Sequence, residues 1–165
     1  MDGHHGALTR TWLYDDFLHP ELAATLFLDA SPWGLGGISV IGCAVHSFFA
    51  SKLTHDDEVI HDAAIGQHES QQTFEALSIL VAVKLWVGVF RKKRVVVALT
   101  CDNTSALART ATLNLTASTL VAKELARLFS ETSFRPRHVG HLPGVMNTYA
   151  DALSRLFEPG GKYRI

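Results

Sequence analysis

An α/β fold is predicted for this chain of 165 residues, and three observations predict it. Two short, continuous apolar runs, Thr25 to Leu28 and Val95 to Thr100, have the character of strands buried on both faces. Between them, Ser70 to Phe90 is apolar nearly all round, as a helix buried on most sides must be. A second helical pattern, Ala117 to Ser130, follows the second strand and is amphipathic. Strands interleaved with long helices make a sheet covered by helices, not a bundle or a sandwich.

The bulk composition bounds the partners. The chain is 47% apolar and 19% charged, which is globular and not disordered. Its length suits one domain with a sizeable core. Fifteen basic and sixteen acidic residues give a net charge of −1, so a nucleic-acid partner would have to be met by a local basic patch. Cys43 and Cys101 sit in apolar, strand-like surroundings and read as reduced core residues of an intracellular protein, in cytoplasm or nucleus. No apolar run reaches membrane-spanning length, so no membrane partner is expected.

Residues 1–20 are mixed, without a period, and are expected to be a lead-in or linker. The domain proper is placed at 21–158, with 159–165 as a C-terminal tail. Residues 24–29 and 35–50 are expected to form two or more strands joined by a turn built on Gly34, Gly36 and Gly37. Lys52 to Glu69 is polar apart from Val59-Ile60 and has room for an edge strand and a loop. Ser70 can cap the long helix, whose Phe74, Leu77, Leu80, Val81, Leu85 and Trp86 define one face. Arg91-Lys92-Lys93-Arg94 reads as a solvated turn and is the one dense basic run. Asn103-Thr104-Ser105 can cap a short helix through Arg109. In the amphipathic helix Leu120, Val121, Leu125, Leu128 and Phe129 are expected inward, with Lys123, Glu124 and Arg127 outward. Phe134 to Leu142 suits a last strand. Asn147 is expected to cap a final helix with Tyr149, Ala150, Leu153, Leu156 and Phe157 inward, stopped by Pro159-Gly160-Gly161.

The chemistry rests on four acids. Both apolar strand runs lead to an aspartate, Asp29 and Asp102, and reactive groups of α/β sheets gather beyond strand ends. Glu75 lies early in the buried helix and Asp151 in the last one. Each has a plain alternative: Asp29 as a turn former or cap, Glu75 as a charge favouring a helix N-terminus, Asp102 as a cap, Asp151 as the i,i+4 partner of Arg155. Four carboxylates at one rim would repel unless cations sat among them. Hard divalent ions such as Mg²⁺ suit oxygen ligands and leave room for phosphate oxygens. A pair of them can activate water and stabilise a leaving oxygen.

Four stretches carry a family resemblance. They are Asp29-Ala30-Ser31-Pro32-Trp33-Gly34-Leu35-Gly36-Gly37, Phe74-Glu75-Ala76-Leu77, Cys101-Asp102-Asn103-Thr104-Ser105-Ala106-Leu107, and His141 through Arg155. Together they resemble the ribonuclease H domain of retroelement reverse transcriptases. The last is the most specific: it is similar to the H-x-P-G-x-x-N-x-x-A-D-x-L-S-R ending of gypsy-like and DIRS-type elements. The resemblance covers about residues 24 to 158. It implies a ribonuclease H-like fold, a five-stranded mixed sheet of order 3-2-1-4-5 with helices on both faces. It also implies cleavage of the RNA strand of RNA–DNA hybrids with two Mg²⁺ ions, for which Mn²⁺ can substitute. Asp29, Glu75, Asp102 and Asp151 match the metal-holding acids, and Glu69 is a weaker fit for the glutamate.

His141 stands ten residues before Asp151, the spacing of a mobile-loop histidine in the family, which implies a role in proton transfer or product release. Its plain alternative is an ordinary loop histidine. Ser31, Asn103, Thr104 and Asn147 are candidates for contacts with the RNA backbone or 2′-hydroxyls. Residues 110–116 lack the basic cluster of cellular relatives, which suits a domain that leans on a polymerase in the same polyprotein. The rival readings are a non-catalytic tether of the same fold, and another two-metal enzyme such as an integrase or exonuclease. The complete acid set argues against the first and the His141-to-Asp151 block against the second.

Overall fold

The run Thr25-Leu26-Phe27-Leu28 lies at the centre of the sheet, within β1 (Ala23–Ser31). Its neighbours are β2 (Gly34–Ile41), antiparallel across the two-residue connection Pro32-Trp33, and β4 (Val96–Cys101), parallel. β3 (Ala44–Lys52) adds antiparallel to β2, and β5 (His138–His141) adds parallel to β4. The sheet order is β3-β2-β1-β4-β5. Among the described residues the helices are α1 (His55–His61), α2 (Gln71–Arg91), α3 (Thr119–Thr132) and α4 (Thr148–Ser154), with single 3₁₀ turns at His68–Ser70 and Arg155–Phe157. The computed structural model describes residues 23–42, 44–91, 96–101, 119–132, 138–141 and 147–163, and of β4 and β5 the backbone alone. The expected lead-in, Cys43, the basic run beyond Arg91, the short helix through Arg109 and the loop 142–146 lie outside these residues.

Successive side chains of β1 point to opposite faces. Ala24, Leu26, Leu28 and Ala30 join the main core with Phe74, Ile79 and Val83 of α2 and Val121 and Leu125 of α3. Asp29 and Ser31 turn to the other face, where they meet Ser154 of α4. α2 and α4 therefore cover opposite faces of the sheet. On the α2 side, Trp86 packs its ring against Phe49 of β3 at 5.6 Å, closing the core beside β2. Among the described residues no helix is long and apolar enough to cross a membrane.

Several expectations are corrected. The three glycines do not make the turn; they lie in β2, because a helix and an aromatic ring press against that strand. Lys52 to Glu69 holds no strand beyond the last residue of β3. Thr54 and Asp57 form a reciprocal capping box, with Thr54 N–H donating to Asp57 Oδ2 at 2.8 Å, and start α1 instead. Leu85 and Leu120 are exposed, as are Val59 and Ile60. Among the described side chains of α2, those exposed are Gln72 near its start and Lys84, Leu85 and Gly88 further on, since the sheet and α3 take the other sides. Tyr149 is 78% exposed, because Ala150 and Ser154 take the inward stripe of α4. Asn147 precedes α4 but makes no side-chain capping bond.

Candidate active site

Asp29 is buried two residues before the end of β1. Its Oδ2 accepts a hydrogen bond from Ser154 Oγ at 2.6 Å. α4 comes this close because β2 offers it bare backbone. A Cβ on Gly34 would stand 2.7 Å from the Ser154 carbonyl oxygen, and one on Gly36 would stand 2.6 Å from the Ser154 nitrogen. Ser31 completes the seat. Its hydroxyl donates to the Ser154 carbonyl at 2.7 Å and accepts from the backbone N–H groups of Trp33 and Gly34 at 3.2 and 3.1 Å. Asn147, at the other end of α4, donates its Nδ2 to the Leu28 carbonyl at 3.0 Å. The helix is thus stitched to β1 on either side of Asp29.

Glu75 approaches from α2. It is buried, one turn after Gln71, whose amide donates to the Ala30 carbonyl at 2.5 Å and reaches Glu75 Oε1 at 3.5 Å. Gln71 therefore links the residue after Asp29 to the glutamate. Glu69, the competing choice, is exposed in the 3₁₀ turn before α2. Asp151 sits on α4 one turn before Ser154. Its Oδ1 accepts from Arg155 Nε at 2.6 Å. The carboxylate of Asp151 raises the Arg155 pKa above its ordinary value against partial burial, with smaller contributions from Glu158 and Asp29.

Asp29, Glu75 and Asp151 are thus linked through the end of β1. Among the described residues no three histidine, cysteine or acidic groups stand close enough together to hold a metal ion. Asp102 follows Cys101, the last residue of β4, and lies outside the described residues, as do Asn103 and Thr104. β4 runs parallel to β1 with Phe27 opposite Thr100, so both strands lead to the same rim. His141 ends β5 opposite Cys101, at that rim too, with its backbone alone described. The described acids are hard oxygen donors, the kind a Mg²⁺-type ion takes, but among the described residues they do not come together as one ligand set.

Ser31 and Asn147 are not where a sugar could meet them. Ser31 is fully buried with its hydroxyl committed inward, and Asn147 is buried with its amide on β1. Both serve to seat α4. The Asn147 Oδ1 is buried without a partner among the described residues. Ser154 stands at a fixed position of the H-x-P-G-x-x-N-x-x-A-D-x-L-S-R ending, three residues after Asp151, but the sequence reading gives it no role at the site.

No family model and no curated protein matches this sequence. Solved structures do resemble the fold. One is ribonuclease H1 from the halophilic archaeon Halobacterium salinarum NRC-1, with a TM-score of 0.54 at 13% identity, covering 82% of this chain and 95% of that one. A second is LC11-RNase H1, isolated from compost by a metagenomic approach and solved in complex with an RNA/DNA hybrid. Its TM-score is 0.56 at 14% identity, covering 81% of this chain and 93% of that one. A third is the prototype foamy virus protease-reverse transcriptase, with a TM-score of 0.53 at 12% identity. That match covers 82% of this chain and 21% of the viral one. These likenesses establish a ribonuclease H-like fold.

Proposed function

We propose that this ribonuclease H-like chain is a metal-dependent endonuclease that hydrolyses the RNA strand of RNA–DNA hybrids, as the ribonuclease H part of a retroelement reverse transcriptase. The observation that carries this reading is the Ser154–Asp29 bond. It ties the acid of the central strand to the helix turn that bears Asp151. The sheet order, with β1 beside the parallel β4, supports it as well. So do neighbours named as ribonucleases H, one of them in a hybrid complex and another within a reverse transcriptase chain.

Asp29, Glu75, Asp102 and Asp151 would hold two Mg²⁺ ions, or Mn²⁺ in their place. When bound, such ions supply an activated water and stabilise the departing oxygen of a phosphodiester. In this reading Ser154 orients Asp29, Gln71 orients Glu75, and His141 moves a proton or speeds product release from the far strand. Asn103 and Thr104 remain candidates for contacts with the hybrid. Grip on the hybrid depends on neutralised phosphates. A chain of net charge −1 would bind weakly alone and gain from a polymerase tethered to it.

One observation favours a second reading, a non-catalytic tether of the same fold: Asp151 Oδ1 is engaged by Arg155, as in an ordinary helix-surface ion pair. A single experiment separates the two. The purified chain and D102N are incubated with a labelled RNA–DNA hybrid in Mg²⁺ and in EDTA. The nuclease cuts only in Mg²⁺ and loses orders of magnitude in D102N, whereas a tether binds hybrid and cuts nothing.

A further inference from the structure

β3 forms one edge of the sheet, and among the described residues no strand lies beyond it. The opposite edge, β5, is four residues long. β3 runs for nine, longer than the about five or six usual for a strand. It holds no proline and no acidic or basic residue before Lys52. An open edge presents a row of unpaired backbone N–H and C=O groups, which proteins ordinarily blunt. Besides Lys52, the blunting device here is a bulge. Val45 pairs with Val40 and Ser47 with Ser39, so His46 is the extra residue. The remainder, Ser47 to Lys52, keeps a regular register with β2.

The side chains beside this edge are apolar and uncovered. Val45 and Phe48 are 65% and 68% exposed. With Ile38 of β2 and Tyr149, Leu153 and Leu156 they line a groove of about 490 Å³ on the α4 face. α4 is seven residues long and sits over Gly34 and Gly36, so it leaves the outer strand bare. Val45, Phe48 and Tyr149 together expose on the order of 400 Å², taking roughly 200 Å² for an aromatic side chain. A contiguous patch of that size beside an open edge marks an interaction site. With the backbone of β3 added, each copy's share approaches the about 800 Å² that one partner gives to a stable interface.

The occupant that fits is a second copy of this chain. A two-fold axis normal to the sheet runs the two β3 strands antiparallel and keeps both grooves on the same face. It sets the two Phe48 rings opposite or diagonal to each other across the seam, within reach of an aromatic pair. It also carries the two Lys52 side chains to opposite ends, so no like charges meet along the strand. A net charge of −1 per copy leaves little repulsion between the copies. We propose that the chain forms a two-fold dimer through β3, one sheet continuous across both copies, sealed on the α4 face by Phe48 and the groove beside it. This inference is independent of the metal-site reading.

The test is sedimentation velocity of the full chain over a micromolar concentration series, with F48E, V45E and V59E. Val59 is 69% exposed on α1 and serves as the control for an apolar side chain elsewhere on the surface. The parent is expected to dimerise with concentration. F48E is expected to weaken the dimer by about a hundredfold or more, because a central side chain counts twice across a two-fold. V45E covers the case in which F48E folds poorly, as circular dichroism reads, and is expected to weaken the dimer too. V59E is expected to leave it unchanged. Hydrogen exchange at low and high concentration is expected to show the amides of β3 protected in the dimer. A dimer that survives both β3 substitutions, or that leaves the β3 amides unprotected, overturns the proposal. Open-ended growth overturns it as well, because a two-fold contact closes. A parent that stays monomeric throughout the series overturns it too, and leaves the face to a different partner.

Discussion

Ser154 Oγ and Asp29 Oδ2 stand 2.6 Å apart across 125 residues of sequence, in the buried seam between α4 and β1. The hydroxyl has one proton. A short bond to a carboxylate holds it more strongly than the alternative acceptor, the Asp151 carbonyl at 2.9 Å. Removing that donor costs the buried carboxylate its short hydrogen bond across the seam. In S154A the stability is expected to fall by about 1–3 kcal/mol. If the proposed metal site holds, Mg²⁺ affinity falls with it, because Asp29 loses the bond that fixes its orientation. Chemical denaturation and calorimetry check the two arms. Unaltered Mg²⁺ affinity would mean that other groups orient Asp29.

Gly36 is the position where helix and sheet come closest. A methyl there would meet the Ala150 carbonyl oxygen, the Ser154 nitrogen and the Leu153 Cβ, and two of these are backbone atoms that cannot step aside. G36A is therefore expected to lose roughly 1–3 kcal/mol or more, as overpacking does. G42A serves as the control. Gly42 has open space around its Cβ position but a φ of +63°, so its cost is backbone strain alone and is expected to be about 1 kcal/mol. Equal losses in the two variants would contradict the close seat of α4.

Asn147 holds the Leu28 carbonyl with its Nδ2 while its Oδ1 has no partner among the described residues. N147A removes the good bond and the orphan together, so a net loss of about 1 kcal/mol is expected. N147D keeps the shape but sets a carboxylate against a carbonyl, and is expected to be the worse of the two by about 2 kcal/mol. Urea titrations of both variants give the order, and the reverse order would mean the amide is flipped.

Glu124 ties α3 to α2. It accepts from Lys84 Nζ at 2.9 Å and from Arg127 on its own helix, and these bonds, Arg127 first, lower its pKa to about 2. The folded value lies below the unfolded one, so the unfolded chain binds the proton first as the pH falls. The contribution is complete above about pH 4.5 and is lost as the pH falls to about 2. E124Q should therefore flatten the decline of Tm between pH 4.5 and pH 2 relative to the parent. It should also lower Tm at pH 7, where the ion pairs are intact. Parallel profiles would show that solvent and salt screen the pair fully.

β1, α2 and α3 were legible in the sequence, since an apolar run, an all-round apolar helix and an amphipathic helix each follow from a local period, whereas α1 was read as an edge strand. β1, α2 and α3 lie where Thr25-Leu26-Phe27-Leu28, the Phe74-to-Trp86 segment and Val121-Leu125-Leu128 place them. The acids Asp29, Glu75 and Asp151 stood out for a similar reason: a carboxylate in or beside an apolar pattern is expensive and conspicuous. What surrounds them depends on residues far away in the chain. Tertiary contact alone decided that Gly34 and Gly36 serve the seat of α4 and not a turn. The same contact turns Ser31 and Asn147 inward, exposes Tyr149, and brings Ser154 to Asp29. A period along one segment reports which side is buried, but only the second surface pressed against it determines which atoms meet there and which backbone must stay bare.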